Sequence, residues 1–201
     1  MKRLHRPDLF GWSEFNQQRN IDFHSILWVR DDGNLVIDPL PLSAHDRAHF
    51  QELGGVQTIV VTNSDHVRAA GALAEEHGAQ LLGPAGERDR FPLACQRWLA
   101  DGDEVVPGLR ALSLDGSKTP GELALLLEDS TLITGDLIRA HAGGSLSLLP
   151  DGKLSDRARA IASVRRIAAL PGIEAVLPGD GWPIFRDAGR ALAELAARLP
   201  G

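Results

Sequence analysis

Short apolar runs separated by turn residues recur along the chain, and they predict strands more often than long helices. Residues 25–30 and 35–38 flank the turn sequence Asp-Asp-Gly-Asn and predict a β-hairpin. Residues 58–61 are β-branched and apolar, which is typical of a buried strand. Further short strands are predicted at residues 80–82, 104–106, 109–114, 123–128, 131–134 and 175–177.

Four other segments have the composition or the spacing of α-helices. Residues 43–53 begin with Ser43, a possible N-cap, and residues 65–77 are rich in Ala, Leu and Glu and end before Gly78. Residues 155–170 have an amphipathic pattern that ends at a Pro-Gly pair, and a last helix is predicted at residues 185–199.

The order of these elements distinguishes between two α/β architectures. Strict alternation of strands and helices would favour one doubly wound parallel sheet. The run of antiparallel-looking strands at residues 104–134 breaks that alternation. We therefore expect an α/β (α+β) fold in which two sheets pack between helices, a four-layer αββα sandwich, formed by a single domain over residues 1–201.

The composition limits where the protein is expected to function and which classes of partner it binds. The net charge is -6 and 24% of residues are charged, which argues against a nucleic-acid-binding surface. No window approaches the ~20 apolar residues of a membrane span, and no apolar run follows the basic start of the chain. Cys95 is the only cysteine, so no intrachain disulfide forms. We expect a soluble cytoplasmic protein without nucleic-acid or membrane partners, and the sequence leaves homo-oligomerisation open.

Four polar segments follow predicted strands, where loops commonly display functional groups. They lie at residues 62–68, 116–121, 134–136 and 178–182. Each one alone has an ordinary explanation as a helix cap or a turn. Their order and spacing together are more specific.

Five landmarks carry a resemblance to the metallo-β-lactamase superfamily over nearly the whole chain. They are Val-Ile-Asp at residues 36–38, Val-Val-Thr at 60–62, Lys-Thr-Pro-Gly at 118–121, Ile-Thr-Gly-Asp at 133–136 and Leu-Pro-Gly-Asp-Gly at 177–181. They look like that family's early strand ending in Asp, the strand before its His-x-His-x-Asp-His loop, and its His-Thr-Pro-Gly, Thr-Gly-Asp and Pro-Gly-His-Gly segments. The resemblance implies an αββα sandwich and metal-dependent hydrolysis, usually with zinc, of esters, thioesters, amides or phosphodiesters.

The ligand positions depart from the family pattern. In the preferred alignment on Thr62, six of the seven ligand positions are replaced and only Asp136 is retained. The seven positions are occupied by Asn63, Asp65, Val67, Arg68, Lys118, Asp136 and Asp180. A second alignment instead matches Asp65 and His66 to the Asp-His pair of the family loop and stays open.

The substitutions suggest that a charge network replaces the metal. Arg68 has no lone pair while protonated, and Lys118 would have to lose its proton to bind a metal. Both cations could instead neutralise Asp65, Asp136 and Asp180. We therefore expect no metal or other cofactor, and a site that binds a small anionic ligand, with Asn63, Arg68, Lys118, His141 and Trp182 as its contacts.

An oxygen-rich metal site is the competing interpretation. It would use Asn63, Asp65, His66, Asp136 and Asp180 to hold Mg²⁺, Mn²⁺, Ca²⁺ or Zn²⁺. The candidate catalytic residues of a hydrolase are Asp65, Lys118, Asp136 and Asp180, and a metal-free route would use an Asp base with a cation stabilising the oxyanion. A non-catalytic structural or interaction role is the third alternative, so enzyme activity is left open by the sequence.

Overall fold

A computed structural model describes residues 1–200. Its helices are α1 (Ala44–Glu52), α2 (Ala70–His77), α3 (Arg157–Ala168) and α4 (Ala188–Arg198). Its strands are β1 (Lys2–Arg3), β2 (Leu9–Asn16), β3 (Ile21–Trp28), β4 (Leu35–Ile37), β5 (Thr58–Val60), β6 (Gln80–Pro84), β7 (Arg97–Leu99), β8 (Glu104–Val106), β9 (Leu109–Ser113), β10 (Leu123–Leu127), β11 (Thr131–Thr134), β12 (Ile138–Ala142), β13 (Ser145–Leu148) and β14 (Ala175–Pro178). Among the described helices, none combines the length and the apolar character that crossing a bilayer requires.

The strands form two main sheets and one small hairpin. The first sheet has the order β1-β2-β3-β4-β5-β6-β7, antiparallel up to β4 and parallel from β4 onwards. The second has the order β14-β11-β10-β9-β8, in which only β14 and β11 run parallel. Strands β12 and β13 pair with each other.

Alternation of side chains along the strands produces the layers. In β4, Leu35 and Ile37 are buried between the two sheets, whereas Val36 packs in the outer core beneath α1 and α2. In β10, Leu125 faces the space between the sheets, and Leu126 faces the core under α3 and α4. Because successive side chains point to opposite faces, each sheet buries both of its faces. The predicted four-layer αββα sandwich is confirmed.

Two local differences separate the structure from the sequence prediction. The helix predicted from residue 65 begins only at Ala70, because a 3-10 turn covers Ser64–His66 and Arg68 adopts a left-handed φ of 38°. Gly78 ends this helix as predicted, with φ at 64°. Strands β1, β2, β7, β12 and β13 were not predicted, since several of them are short or lie near a sheet edge and have weak apolar patterns.

Loops from both sheets meet at one end of the sandwich. The Leu123 amide donates a hydrogen bond to the Thr62 carbonyl across the two sheets, at 2.8 Å. The Gly179 amide donates to the Thr134 carbonyl at 2.7 Å, and the His24 amide donates to the Gly179 carbonyl at 2.9 Å. These contacts bring the polar segments after β5, β11 and β14 together, as their positions in the sequence predict.

Candidate functional site

Asp38 fixes the position of His66 at the centre of the converging loops. Asp38 follows β4 with a left-handed φ of 48°. Its carboxylate accepts hydrogen bonds from the Thr62 amide at 2.7 Å and the Thr62 hydroxyl at 2.6 Å. The same carboxylate lies 2.8 Å from His66 Nδ1, which leaves Nε2 of the ring directed elsewhere. A carboxylate that holds one imidazole nitrogen is the common way to orient the other towards a ligand.

Three buried side chains converge where Nε2 points. His66, Asp136 and Asp180, here called the central cluster, each offer one donor atom, and these atoms lie within 4.8 Å of one another. The His66 Nε2 atom is 3.7 Å from Asp136 Oδ1. The three residues are only 4%, 8% and 1% exposed, respectively. Asp136 Oδ2 and Asp180 Oδ1 are buried without a hydrogen-bond partner, which is unusual for carboxylate oxygens.

Arg139 supplies a cation that sequence analysis missed. It lies on β12, is 5% exposed, and its guanidinium forms an ion pair with Asp180. The only sequence signal was its position three residues after Asp136, on a strand that was not predicted. This ion pair places a positive charge beside the central cluster.

The charges of the cluster shift the pKa values of its members. Burial alone would lower the pKa of His66, but the neighbouring Asp38 and Asp136 carboxylates raise it to about 10. Burial would raise the pKa of Asp136, but the neighbouring charged His66 ring lowers it to about 2. Without a bound ion, His66 is therefore a cation and Asp136 an anion at neutral pH.

Glu122 connects two of the site loops by accepting a hydrogen bond from each of them. Its side chain is fully buried, accepts a hydrogen bond from the Leu137 amide at 2.8 Å, and accepts another from the Ser117 hydroxyl. Burial and the charge of Asp136 raise the pKa of Glu122 to about 7. Gly135 lets this packing occur, because a Cβ there would lie 3.1 Å from Glu122 Oε1 and 2.9 Å from the Thr62 hydroxyl. An acidic residue directly before the apolar strand β10 was the signal that could have identified Glu122.

Asp65 and Lys118 form an ion pair at the surface, here called the rim pair. Both side chains are 41% exposed. The predicted pairing of Lys118 with Asp65 is therefore found. No ion pair of Lys118 with Asp136 or Asp180 is present among residues 1–200.

Within residues 1–200, Arg68 forms no ion pair with Asp65, Asp136 or Asp180, so that part of the predicted network is not found. Its guanidinium donates to the His24 carbonyl at 2.7 Å and to the Asp38 carbonyl at 3.1 Å. It also lies 5.5 Å from the centre of the Phe23 ring. The left-handed φ of Arg68 separates the 3-10 turn from α2. The Arg68 side chain then lies against the β2–β3 hairpin and not against the central cluster.

Three other predicted residues have separate positions. Asn63 is fully buried, and its Oδ1 accepts a hydrogen bond from the Asp65 amide at 3.0 Å, so Asn63 caps the 3-10 turn over Ser64–His66. His141 is exposed on β12, and Trp182 is 59% exposed. The burial of His66 in the cluster favours the second alignment, in which His66 belongs to the motif.

The donor set of the central cluster fits a divalent cation. It provides one imidazole nitrogen and two carboxylates, a mixture that suits zinc or manganese. Two of the carboxylate oxygens are unpartnered and buried, so a bound ion would satisfy them. Asp38 already orients His66 with Nε2 free for such an ion.

Known proteins resemble this chain in sequence. The family profile described as the metallo-beta-lactamase superfamily matches residues 1–199. Hydroxyacylglutathione hydrolases of Rhizobium johnstonii and Rhizobium etli are 28% identical over 127 residues, which cover 61% of this chain and 46% of either relative. The matched segment thus spans about half the length of these curated relatives.

Solved structures resemble the chain in fold. The DIM-1 metallo-beta-lactamase matches 97% of this chain and 95% of its own, with a TM-score of 0.75 at 13% identity. A metallo-beta-lactamase family protein from Thermus thermophilus matches 96% of this chain and 79% of its own, with a TM-score of 0.73 at 20% identity. A metallo-beta-lactamase from Erythrobacter litoralis matches 96% and 94%, with a TM-score of 0.75 at 17% identity. By its sequence, this chain belongs to the metallo-β-lactamase superfamily.

Proposed function

We propose that this chain is a metal-dependent hydrolase that holds one divalent cation with His66, Asp136 and Asp180. The observation that carries the proposal is the convergence of three buried donor atoms within 4.8 Å of one another. The sequence favoured a charge network over a metal site. We now favour the metal site, because the cations predicted for the network, Arg68 and Lys118, have their contacts outside the central cluster.

Charge balance supports a divalent ion. Asp38, Asp136 and Asp180 bring three carboxylates to the cluster, and Arg139 brings one permanent cation. With His66 neutral, as a metal ligand must be, the three carboxylates exceed the one buried cation, Arg139, by two charges. One divalent cation removes that excess, and buried charges are costly unless they are paired.

The surrounding residues support one ion and not two. Asp65 is held at the surface by Lys118, and Arg68 is engaged with backbone carbonyls. Asn63 is buried, but its oxygen already accepts the Asp65 amide. The neighbouring residues that could supply further ligands are thus engaged in other contacts.

Each residue of the site would have a separate task. A bound cation of this kind supplies a water of lowered pKa and polarises the bond under attack. Asp38 holds the His66 ring in one orientation, and Arg139 limits the repulsion between Asp180 and its neighbours. Glu122 sets the separation between the Ser117 loop and the Asp136 loop.

The reaction class we propose is hydrolysis of an ester or a thioester. The curated relatives are named for the hydrolysis of hydroxyacylglutathione, which is a thioester. Phosphodiesters are another class that the family resemblance allows. A substrate panel therefore has to include all three bond types.

The experiment is an activity assay on metal-reconstituted protein. Untagged protein is stripped with EDTA, reloaded with Zn²⁺ or Mn²⁺, and assayed with p-nitrophenyl acetate, a hydroxyacylglutathione thioester and bis-p-nitrophenyl phosphate. We expect ester or thioester hydrolysis that EDTA abolishes, that Asp136→Asn lowers at least 100-fold, and that Asp65→Asn changes less than threefold. Equal rates with and without metal would contradict the proposal.

A second candidate is a metal-free site that binds a small anion. The observation that favours it is the pair of cations already beside the carboxylates, Arg139 and a protonated His66 whose pKa is raised to about 10. In that case EDTA-treated protein would bind inorganic phosphate or acetate, and added Zn²⁺ would not compete. The absence of any metal binding together with saturable anion binding would favour this candidate over the first.

A further inference from the structure

Glu87 is a buried carboxylate that lies outside the central cluster. It belongs to a 3-10 helix, Ala85–Arg90, which follows β6, and it is 3% exposed. Acidic side chains are almost never buried this deeply unless they have a specific partner. The partner of Glu87 therefore indicates what the residue does.

That partner is the backbone of the turn that carries His66. The Glu87 Oε2 atom accepts a hydrogen bond from the Ser64 amide at 2.9 Å. Ser64 is the first residue of the 3-10 turn Ser64–His66, and the first amides of a helical turn have no acceptor within it. Glu87 supplies that acceptor from a segment 23 residues further along the chain.

The other two amides of this turn are satisfied locally. Asn63 Oδ1 accepts a hydrogen bond from the Asp65 amide at 3.0 Å, and the Asn63 carbonyl accepts one from the His66 amide at 3.0 Å. These two bonds shape the turn, but they do not relate it to the rest of the fold. Among the three amides, the one bound to Glu87 is therefore the one that connects the turn to a distant segment.

Close backbone packing fixes the position of Glu87 itself. A Cβ at Gly86 would lie 2.8 Å from Gly121 Cα, and a Cβ at Gly121 would lie 2.8 Å from Gly86 Cα and 2.9 Å from Glu87 Cγ. These distances leave no room for a side chain, so the start of the 3-10 helix lies directly against the loop at residues 118–121. Glu87 thus connects the His66 turn with a second loop at the same end of the sandwich.

The contribution of Glu87 to stability is limited by its second oxygen. Glu87 Oε1 is buried without a hydrogen-bond partner. The cost of burying an unsatisfied carboxylate oxygen offsets much of what the bond to the Ser64 amide contributes. The main consequence of the contact is therefore geometric, because it determines where the His66 turn lies.

We propose that Glu87 is a positioning residue, which through the Ser64 amide holds the backbone of His66 where its Nε2 atom completes the central cluster. Asp38 orients the imidazole ring, whereas Glu87 places the backbone that carries it. This inference rests on the proposed function, because the task exists only if the central cluster holds an ion.

Isothermal titration calorimetry of EDTA-stripped, full-length protein with Zn²⁺ tests this role. Glu87→Ala removes the acceptor of the Ser64 amide, and we expect the affinity for Zn²⁺ to fall about tenfold, the lower end of the loss usual for groups that orient metal ligands. Glu87→Gln keeps an acceptor oxygen at the same reach, so its affinity should change less than about threefold.

Asn34→Ala is the matched control for a loss of stability. Asn34 is 4% exposed, and its Oδ1 accepts a hydrogen bond from the Arg30 amide at 3.0 Å, so this variant also loses a buried acceptor of a backbone amide. Asn34 precedes β4, whereas Asp38 follows it, so the two lie at opposite ends of that strand. N34A should unfold at lower urea concentration than the unmodified protein and bind Zn²⁺ with unchanged affinity.

The outcomes separate this inference from the metal site on which it rests. An unchanged Zn²⁺ affinity in E87A, equal losses in E87A and N34A, or a loss in E87Q as large as in E87A would overturn the positioning role and leave the metal site standing. An unmodified protein that binds no Zn²⁺ would contradict the proposed function and this inference with it. If E87A does not fold by circular dichroism, E87D and E87Q decide, because the shorter carboxylate should weaken Zn²⁺ binding and the amide should not.

Discussion

The central cluster and the rim pair both consist of opposite charges from loops at the same end of the sandwich, but their surroundings differ. Asp180 and its partner Arg139 are at most 5% exposed. The side chains of Asp65 and Lys118 are 41% exposed. Water and salt screen the rim pair, whereas the central cluster depends on buried neighbours such as Arg139 for its neutralisation. If the proposed function is correct, we expect activity to depend on the buried cluster and to tolerate changes in the rim pair.

The largest expected effect is on the buried ion pair. Arg139→Met should lower the free energy of unfolding by about 3–5 kcal/mol, because it leaves the Asp180 carboxylate buried without its cation. Urea denaturation of metal-free protein measures this. The double variant R139M/D180L should recover much of the loss, since it removes both charges together. A loss below about 1 kcal/mol for R139M would mean that Asp180 does not depend on this pair.

A second effect concerns the residue that orients His66. Asp38→Asn keeps the size of the side chain but weakens its hold on His66 Nδ1. We expect the affinity for Zn²⁺ to fall about 10–100-fold, as is usual when the partner of a metal-binding histidine is removed. Isothermal titration calorimetry measures this, with Asp65→Asn as the control acid on the rim. An equal loss in the two variants would contradict the division between cluster and rim.

A smaller effect is expected for Glu122, whose role in this account is structural. Glu122→Ala leaves the Leu137 amide and the Ser117 hydroxyl buried without their acceptor, and we expect a loss of about 1–3 kcal/mol in the free energy of unfolding. Glu122→Gln keeps an acceptor for the Leu137 amide and should cost less. Thermal unfolding of both variants provides the measurement, and a costlier Gln than Ala would refute the bracing role.

The smallest effect is expected at the rim. Lys118→Met is the matched counterpart of the Arg139 substitution, and it should change the free energy of unfolding by no more than about 1 kcal/mol. High salt should remove most of that difference, because the Debye length at 1 M is about 3 Å. Denaturation in low salt and in 1 M NaCl tests this, and a salt-independent loss would show that the rim pair is more buried than its exposure indicates.

The sequence predicted the fold better than the site, for identifiable reasons. Short apolar runs such as β10, the break in strand–helix order and the five landmarks of the family resemblance were enough for the αββα sandwich. Asp136 and Asp180 were identified because each lies in a recognisable motif. Arg139 was missed because its position depends on how the unpredicted strand β12 packs, and no spacing rule encodes that.

The predicted partners of Arg68 and Lys118 show what the local sequence does not reveal. Arg68 and Lys118 have the right charge and lie in the right loops, yet neither forms an ion pair with Asp136 or Asp180 in the described residues. A left-handed φ at Arg68 and the surface position of Lys118 decide their partners. Backbone conformation and depth of burial, which composition does not reveal, thus determined which charges form the central cluster.

Metal stoichiometry tests the central claim most directly. Untagged protein is stripped with EDTA, titrated with Zn²⁺ and Mn²⁺ by calorimetry, and then desalted and analysed by elemental mass spectrometry beside Asp136→Asn and Asp65→Asn. The account predicts one ion per chain in the unmodified protein and in D65N, and at most a weakly held ion in D136N. No bound ion in the unmodified protein, or two ions per chain, would contradict it.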